Sequence, residues 1–278
     1  MFREEETSKC KNLIPLIIFC NWYKKENITT LYMDYLCDFW PNDDPKICTS
    51  GKVPNSFKTV FRNNTPSKLA ISLSGGVDSM VSSWIVRQIL KDCELHCIHI
   101  NYNNRNTCKD EITFLQWWCD KINVKLHLYH MPLVRETYMK SNRNFYENET
   151  RRMRFDAYTE LQCPVILGHN FDDIVENVMT NIASNKHSDF LCGMSEISII
   201  NGVTLYRPML NVSKNDIISY AKRTNIPYLQ DSTPSWSRRG QLRDILIPVL
   251  NSVEPLFLKN LVKFCKSKQV VKCNVGNV

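Results

Sequence analysis

KLAISLSGGVDSMVSSWIVRQIL, residues 68–90, is the stretch from which the rest of this chain is read. Leu69, Ala70, Ile71 and Leu73 form a short apolar run that suits a buried strand, and the run breaks at Ser74-Gly75-Gly76. From Asp78 onward Val81, Trp84, Ile85 and Ile89 recur at helical spacing with no Pro or Gly between them, so the order is strand, glycine turn, helix. That geometry binds phosphate. Two glycines let the backbone approach an anion, Ser74 and Ser79 offer hydroxyls, and the N–H groups and dipole of a helix start favour negative charge. The spacing excludes a Walker loop, because no Gly-Lys-Ser/Thr follows. Asp78 is the anomaly: a carboxylate repels a phosphate unless a divalent cation such as Mg²⁺ is ligated by both.

The chain has 278 residues, 43% of them hydrophobic, enough for one main domain. Its net charge of +7 is unevenly spread, since residues 251–278 carry five Lys against one Glu. A basic tail on a nearly neutral body suits an anionic polymer such as RNA, or serves only solubility. None of the twelve cysteines forms C-x-x-C, and Cys93 and Cys97 come nearest, so they read as reduced thiols. No basic-then-apolar leader and no run of membrane-spanning length is present, so the expectation is a soluble, cytoplasmic protein that engages no membrane.

Three regions are expected. Residues 1–65 read as a small N-terminal helical extension with a linker: Leu13–Tyr23 and Leu31–Trp40 are helix-sized, and Pro41–Pro66 is polar and broken by Gly51 and Pro54. The aromatic residues of this extension form its own core or a contact surface. Residues 66–250 alternate strand and helix. Strands are expected at Leu95–Asn101, Val124–His130 and Pro164–Leu167, and helices after Thr107, over Tyr146–Leu161 and over Asp172–Ile182, with Thr107 capping the first. Repeated βα units give an α/β fold, an open and mostly parallel sheet with helices on both faces. Residues 251–278 read as a basic C-terminal helix or tail. In such sheets ligands bind beyond the carboxyl ends of strands, which puts Ser74–Ser79 and Gly168–Asp173 on one rim.

PVILGHNFDDIVE, residues 164–176, is the second informative stretch. After its strand come Gly168 and His169, then Asp172 and Asp173, with Glu176 on the same helix face as Asp173. Acidic residues in a first turn complement the helix dipole, and on this rim they also suit Mg²⁺ or the cation of an amine.

The motifs together resemble the PP-loop ATP pyrophosphatases, adenine nucleotide alpha-hydrolase-like enzymes, and more specifically the tRNA(Ile)-lysidine synthetase family. The ordered matches are SGGVDS, His99-Ile100-Asn101 with Arg105 beyond, ETRRMRF at Glu149–Phe155, GHNFDDIVEN, LCGM at Leu191–Met194, YRPML at Tyr206–Leu210 and IPYLQDST at Ile226–Thr233. The resemblance implies ATP and Mg²⁺ as cofactors, with tRNA and free lysine as partners. It implies an ATP site at Ser74, Gly75, Gly76, Asp78, Ser79, His99, Gly168 and His169, with metal on Asp78 and Asp173. Catalytic roles fall to Asp78, Asp173 and Glu176, the last binding the amine. Substrate or RNA contacts are implied at Arg105, Arg152, Arg154, Arg207, Arg239 and Arg243, although arginines 151, 152 and 154 also suit a solvated helix face. Trp236, Arg238 and Arg239 are candidates to stack on a splayed base. The chain departs from the family at Tyr102, where a second His is usual, and at Asp231-Ser232-Thr233-Pro234 and Arg239-Gly240. The family's C-terminal tRNA-binding domains are expected to be missing.

The implied reaction has two steps: a cytidine O2 attacks the α-phosphate of ATP, and lysine then displaces AMP from C2. The rival readings are a tRNA thiolase, a small-molecule amidotransferase, and a nucleotide-binding RNA adaptor without turnover.

Overall fold

The computed structural model describes residues 37–63, 65–103, 107–131, 143–187, 191–230 and 237–273. Strands β2 (Lys68–Ser72), β3 (Glu94–Asn101), β4 (Lys125–His130), β5 (Val165–Ile166), β6 (Ile197–Ile200) and β7 (Val203–Tyr206) form one sheet in the order β4-β3-β2-β5-β7-β6. All neighbours are parallel except β6, which pairs antiparallel with β7. In the central strand β2, Leu69, Ala70 and Ile71 are fully buried, as a strand covered on both faces requires.

One face carries α1 (Lys52–Phe61), α2 (Val77–Ile89), α3 (Cys108–Lys121) and α6 (Lys214–Arg223), whose Phe57, Met80, Trp118 and Tyr220 join Leu69 and Ile71 in the main core. The other face carries α4 (Arg143–Glu160), with Phe155 and Tyr158 packed on Ala70, Ile98 and Val165. Helix α5 (Phe171–Ala183) buries Ile174, Val175 and Val178 against Leu258, Val262 and Cys265 of α9 (Phe257–Cys273). Between α6 and α9 the described chain runs through strand β8 (Tyr228–Leu229), α7 (Arg238–Gln241), a π-helical turn (Leu242–Leu246) and α8 (Ile247–Val253). This is the expected α/β architecture with helices on both faces.

The N-terminal expectations fare differently. Leu13–Tyr23 lies outside the described residues, as do 31–36 of the second expected helix. Cys37–Phe39 of that segment form a strand, β1, antiparallel to β8. The reading of Pro41–Pro66 as a linker does not hold, because α1 lies within it and buries Val53, Phe57 and Phe61 in the main core. Gly51 and Pro54 are not breakers: Gly51 (φ 98) is the N-cap of α1 and Pro54 sits in its first turn, where its missing N–H leaves no bond unmade. Trp40 of the extension packs on Trp117 and Phe114 of α3. Thr107 is the N-cap of α3 but makes no capping bond; its hydroxyl donates to Glu111 Oε1 at 2.7 Å. Nine described cysteines are free thiols. No single described helix is long and apolar enough to cross a membrane.

Candidate active site

The turn after β2 is built by its glycines. Gly75 has φ +87, and a Cβ there would run into the Leu229 side chain, whose own N–H donates to Gly75 O at 2.9 Å. Gly76 is the N-cap of α2, and no side chain caps that helix. The Ser79 hydroxyl instead donates to Gly76 O (2.9 Å) and lies 3.1 Å from the Ser74 hydroxyl, so both serines brace the turn. The first N–H groups of α2 thus meet no side-chain acceptor, which is the arrangement an anion needs.

The turn after β5 is closed. Asn170 Oδ1 accepts from the N–H of Asp172 (2.9 Å) and of Asp173 (3.3 Å), while Asp173 Oδ2 accepts from Asn170 N (3.0 Å), a complete capping box. Strand pairing of β5 with β2 brings this turn onto the first. A Cβ on Gly168 would lie 3.0 Å from Asp78 Cβ and 3.3 Å from Ser79 N, so any larger residue would have to push the start of α2 back by a few tenths of an ångström. Asn170 Nδ2 then donates to Asp78 Oδ1 at 3.0 Å, and Lys214 Nζ of α6 holds Asp78 Oδ2 at 2.6 Å. Lys214 N also donates to Asp172 Oδ2 at 2.7 Å.

Asp173 and Glu176 share a face, as their spacing requires, and both meet Arg239. Its Nη2 lies 3.6 Å from Asp173 Oδ1 and its Nε donates to Glu176 Oε2 at 2.9 Å. Arg243 binds the other Glu176 oxygen from Nε (2.9 Å) and Nη2 (2.8 Å). Glu176 is only 1% exposed, so this carboxylate is saturated by two guanidiniums. Burial pushes the Asp173 carboxyl up, and the Asp78 charge adds to it against the opposing Asn170 N–H and Arg239.

Two cavities meet at this junction and share a wall of Ser74, Asp78, Glu111, Asp173 and Arg239. The first, about 500 Å³, runs over the carboxyl ends of the strands to His99, His169, Arg154 and Arg207. His99 Nδ1 donates to Leu73 O at 2.9 Å, fixing the ring against the phosphate turn. Arg207 is 5% exposed; its Nη1 donates to Ser195 O and Ser198 Oγ, and its Nε donates to His169 Nδ1 at 3.2 Å. Burial, with Arg207 and Arg239 beside it, lowers His169 to about 4, so the ring is neutral and carries its proton on Nε2. Arg154 donates to the Tyr102 hydroxyl at 2.8 Å. The second cavity, about 460 Å³, is lined by Asp38, Asp172 and Glu176 together with Lys214 and Arg243.

Most expected site residues therefore converge. Arg152 does not: it pairs with Glu149 and Asp156 on the exposed side of α4, and Arg151 lines the first cavity in its place. Arg105, Trp236 and residues 231–234 lie outside the described residues. Arg239 and Arg243, expected as RNA contacts, are engaged by Glu176. The sequence reading missed Asn170, Lys214, Tyr102 as an acceptor, and Asp38. Asn170 alone had a local signal, as Asn before Phe171 with an acidic residue three positions on. For Mg²⁺ the donor set fits. Among the described residues no group of three His, Cys, Asp or Glu is placed to hold a metal, but Mg²⁺ is commonly held by one or two carboxylates plus phosphates. Asp78 and Asp173 would supply that pair, and Lys214 Nζ already places a cation on Asp78.

A family model described as a PP-loop domain matches residues 50–250. The tRNA(Ile)-lysidine synthase of Staphylococcus aureus (strain MRSA252) is 29% identical over 204 residues, covering 70% of this chain and 47% of that protein. That of Mycoplasma mycoides subsp. mycoides SC is 26% identical over 182 residues, covering 64% and 44%. The chain thus spans about half the length of these relatives. Among solved structures, the U34-tRNA thiolase NcsA from Methanococcus maripaludis superposes with a TM-score of 0.64 at 18% identity, covering 77% of each chain. That likeness concerns the fold.

Proposed function

The chain belongs to the PP-loop domain family, and from that premise we propose that it is an ATP-dependent carbon–nitrogen ligase that modifies tRNA, activating C2 of a cytidine by adenylation and replacing AMP with lysine. The observation that carries this reading is the junction of an open, glycine-built helix start at Gly76 with a closed, acidic one at Asn170, between two cavities. A binder of ATP alone has no use for the second cavity. The lysidine synthase relatives support tRNA as the substrate class.

In this reading the ATP phosphates rest on Ser74–Ser79, with the nucleoside toward His99 in the first cavity. Mg²⁺ held by Asp78 and Asp173 would offset charge on the departing pyrophosphate. The cytidine O2 attacks the α-phosphate, the bond to pyrophosphate breaks, and C2 becomes electrophilic. Arg154 and Arg207 lie where they can face phosphate or RNA from the far wall. His169, neutral at physiological pH, holds Arg207 without adding charge of its own. The second cavity takes the amine. A lysine ε-ammonium, of reference pKa about 10.4, must be bound and lose a proton before it attacks. Its binding at Asp173 and Glu176 exchanges with Arg239 or Arg243, which hold those carboxylates in the ligand-free chain.

The test is pyrophosphate release from ATP with a panel of tRNA transcripts, with and without lysine, followed by mass analysis of nucleosides. Lysine-dependent gain of one lysyl residue on a cytidine is expected. Sulfur incorporation instead would place the chain with the thiolases, and no release with any tRNA would overturn the ligase reading.

A further inference from the structure

One carboxylate on the wall of the second cavity comes from outside the main sheet. Strand β1 pairs Cys37 with Leu229 and Phe39 with Tyr228, so two steps along β1 match one along β8, and Asp38 is the extra residue of a bulge. Bulges re-aim the side chain they carry and recur beside active sites. Here Cys37 is buried and the Phe39 ring lies on Tyr228 with centroids 5.8 Å apart, while Asp38 is exposed and lines the cavity together with Tyr228. Strand β8 is fastened to the phosphate turn, since Leu229 N donates to Gly75 O at 2.9 Å, and the bulge is thereby anchored to the site.

Asp38 also differs from the other carboxylates of that wall. Asp78 is held by Asn170 and Lys214, Asp172 by Lys214 N, Asp173 by Asn170 N, Glu111 by the Thr107 hydroxyl and Glu176 by two guanidiniums. Among the described residues Asp38 makes no hydrogen bond or ion pair. An ammonium group that arrives at Glu176 must displace an arginine, whereas one that arrives at Asp38 displaces no side chain.

We propose that Asp38 binds the α-ammonium of the amino acid whose side-chain amine is transferred, and so selects an α-amino acid over an amine without that group. This rests on the reading that the second cavity takes the amine. Free lysine carries two ammonium groups, and the cavity is lined by Asp38 as well as by Asp173 and Glu176, so one molecule is held at both ends. Anchoring the α end first lets the ε-ammonium compete with Arg239 or Arg243 from a bound molecule rather than from solution, which raises its effective concentration. The family match begins at residue 50, so this selectivity is supplied by a strand in front of the matched domain.

Asp38→Asn keeps the size of the side chain at an exposed bulge and removes its charge. Equilibrium dialysis on the full chain with α,β-methylene-ATP compares lysine with 6-aminohexanoate, which has the ε-amine and the carboxylate but no α-ammonium. The parent is expected to bind lysine about tenfold more tightly than 6-aminohexanoate, and the variant to bind the two about equally, as befits one charge-assisted contact. Lysine affinity that ignores the substitution, equal loss for both ligands, or no lysine bound by the parent overturns the proposal. In the transfer assay the loss is expected in KM for lysine, and a loss confined to kcat overturns it as well. Lysine held through Asp38 but transferred to no tRNA would keep this proposal and sink the ligase reading, so the two fail separately.

Discussion

Two strand-to-helix turns meet on the rim of the sheet, after β2 and after β5, and they finish their helices in opposite ways. The first leaves the start of α2 without a side-chain cap and uses its serines to brace the turn. The second caps α5 completely through Asn170 and Asp173. An uncapped helix start keeps donors and a positive dipole end for an anion, while a capped one has spent those donors and presents carboxylates. The proposed reading accordingly seats a phosphate on the first turn and a cation beside the second. The contrast also explains why Asp78, on the open turn, is tied to the closed one through Asn170 and to Lys214.

The comparison can be broken most severely at Asp78. Asp78→Asn keeps the size and one hydrogen bond but loses the charge, so pyrophosphate release is expected to fall about 100-fold or more, at least about 2.7 kcal/mol at the barrier, with the melting temperature nearly unchanged. Turnover at the parental rate would remove Asp78 from the metal site. Glu176→Ala tests the closed turn. Truncating one member of a fully buried pair costs about 3–5 kcal/mol, but Arg239 and Arg243 are 60% and 35% exposed as side chains and can turn to water, so roughly 1–3 kcal/mol of stability is expected. In single-turnover assays this variant should still adenylate RNA and transfer lysine poorly. Equal loss of both steps would move Glu176 to the ATP side.

Gly168→Ala attacks the contact between the turns. Its methyl would press on Asp78 and Ser79 backbone that cannot yield like a flexible side chain, for a loss of about 1–3 kcal/mol in urea unfolding and weaker ATP binding. Asn170→Ala removes the cap of α5 and one tether of Asp78, for about 1 kcal/mol. If the turns are as different as argued, Ser74→Ala, which caps nothing, should shift stability less than Asn170→Ala.

The last test concerns pH. His169 is lowered from 6.5 to about 4 in the folded chain, so between those values the unfolded chain binds a proton that the folded chain refuses. Stability must then fall as pH drops from about 6.5 toward 4, by at most about 1.4 kcal/mol per unit from this group. His169→Gln should flatten that part of the urea-midpoint profile relative to the parent. Parallel profiles would show that the ring titrates normally.

Much of this was legible locally. The β2 turn and α2 follow from Leu69–Leu73, the glycines and the helical period, and α5 follows from Asp172 onward. The β6–β7 hairpin was overlooked although Asn201-Gly202, both at positive φ, carries its signal between two alternating runs. Helix α1 is hidden in the sequence because Gly51 and Pro54 read as breaks, although their positions at the cap and first turn make them starts.

What the sequence determined by itself was the alternation of strand and helix, the phosphate turn and the acidic first turn, because periodicity and turn chemistry are properties of neighbours in the chain. What only the tertiary structure decided was which charges meet. Asp78 finds Lys214 across 136 residues, and Glu176 finds Arg239 and Arg243 across 63 and 67. Those pairings depend on β5 lying beside β2 although β3 and β4 come between them in sequence. Strand order is set by how the covering helices bury their apolar faces together, a balance summed over the whole core that no local run of residues contains.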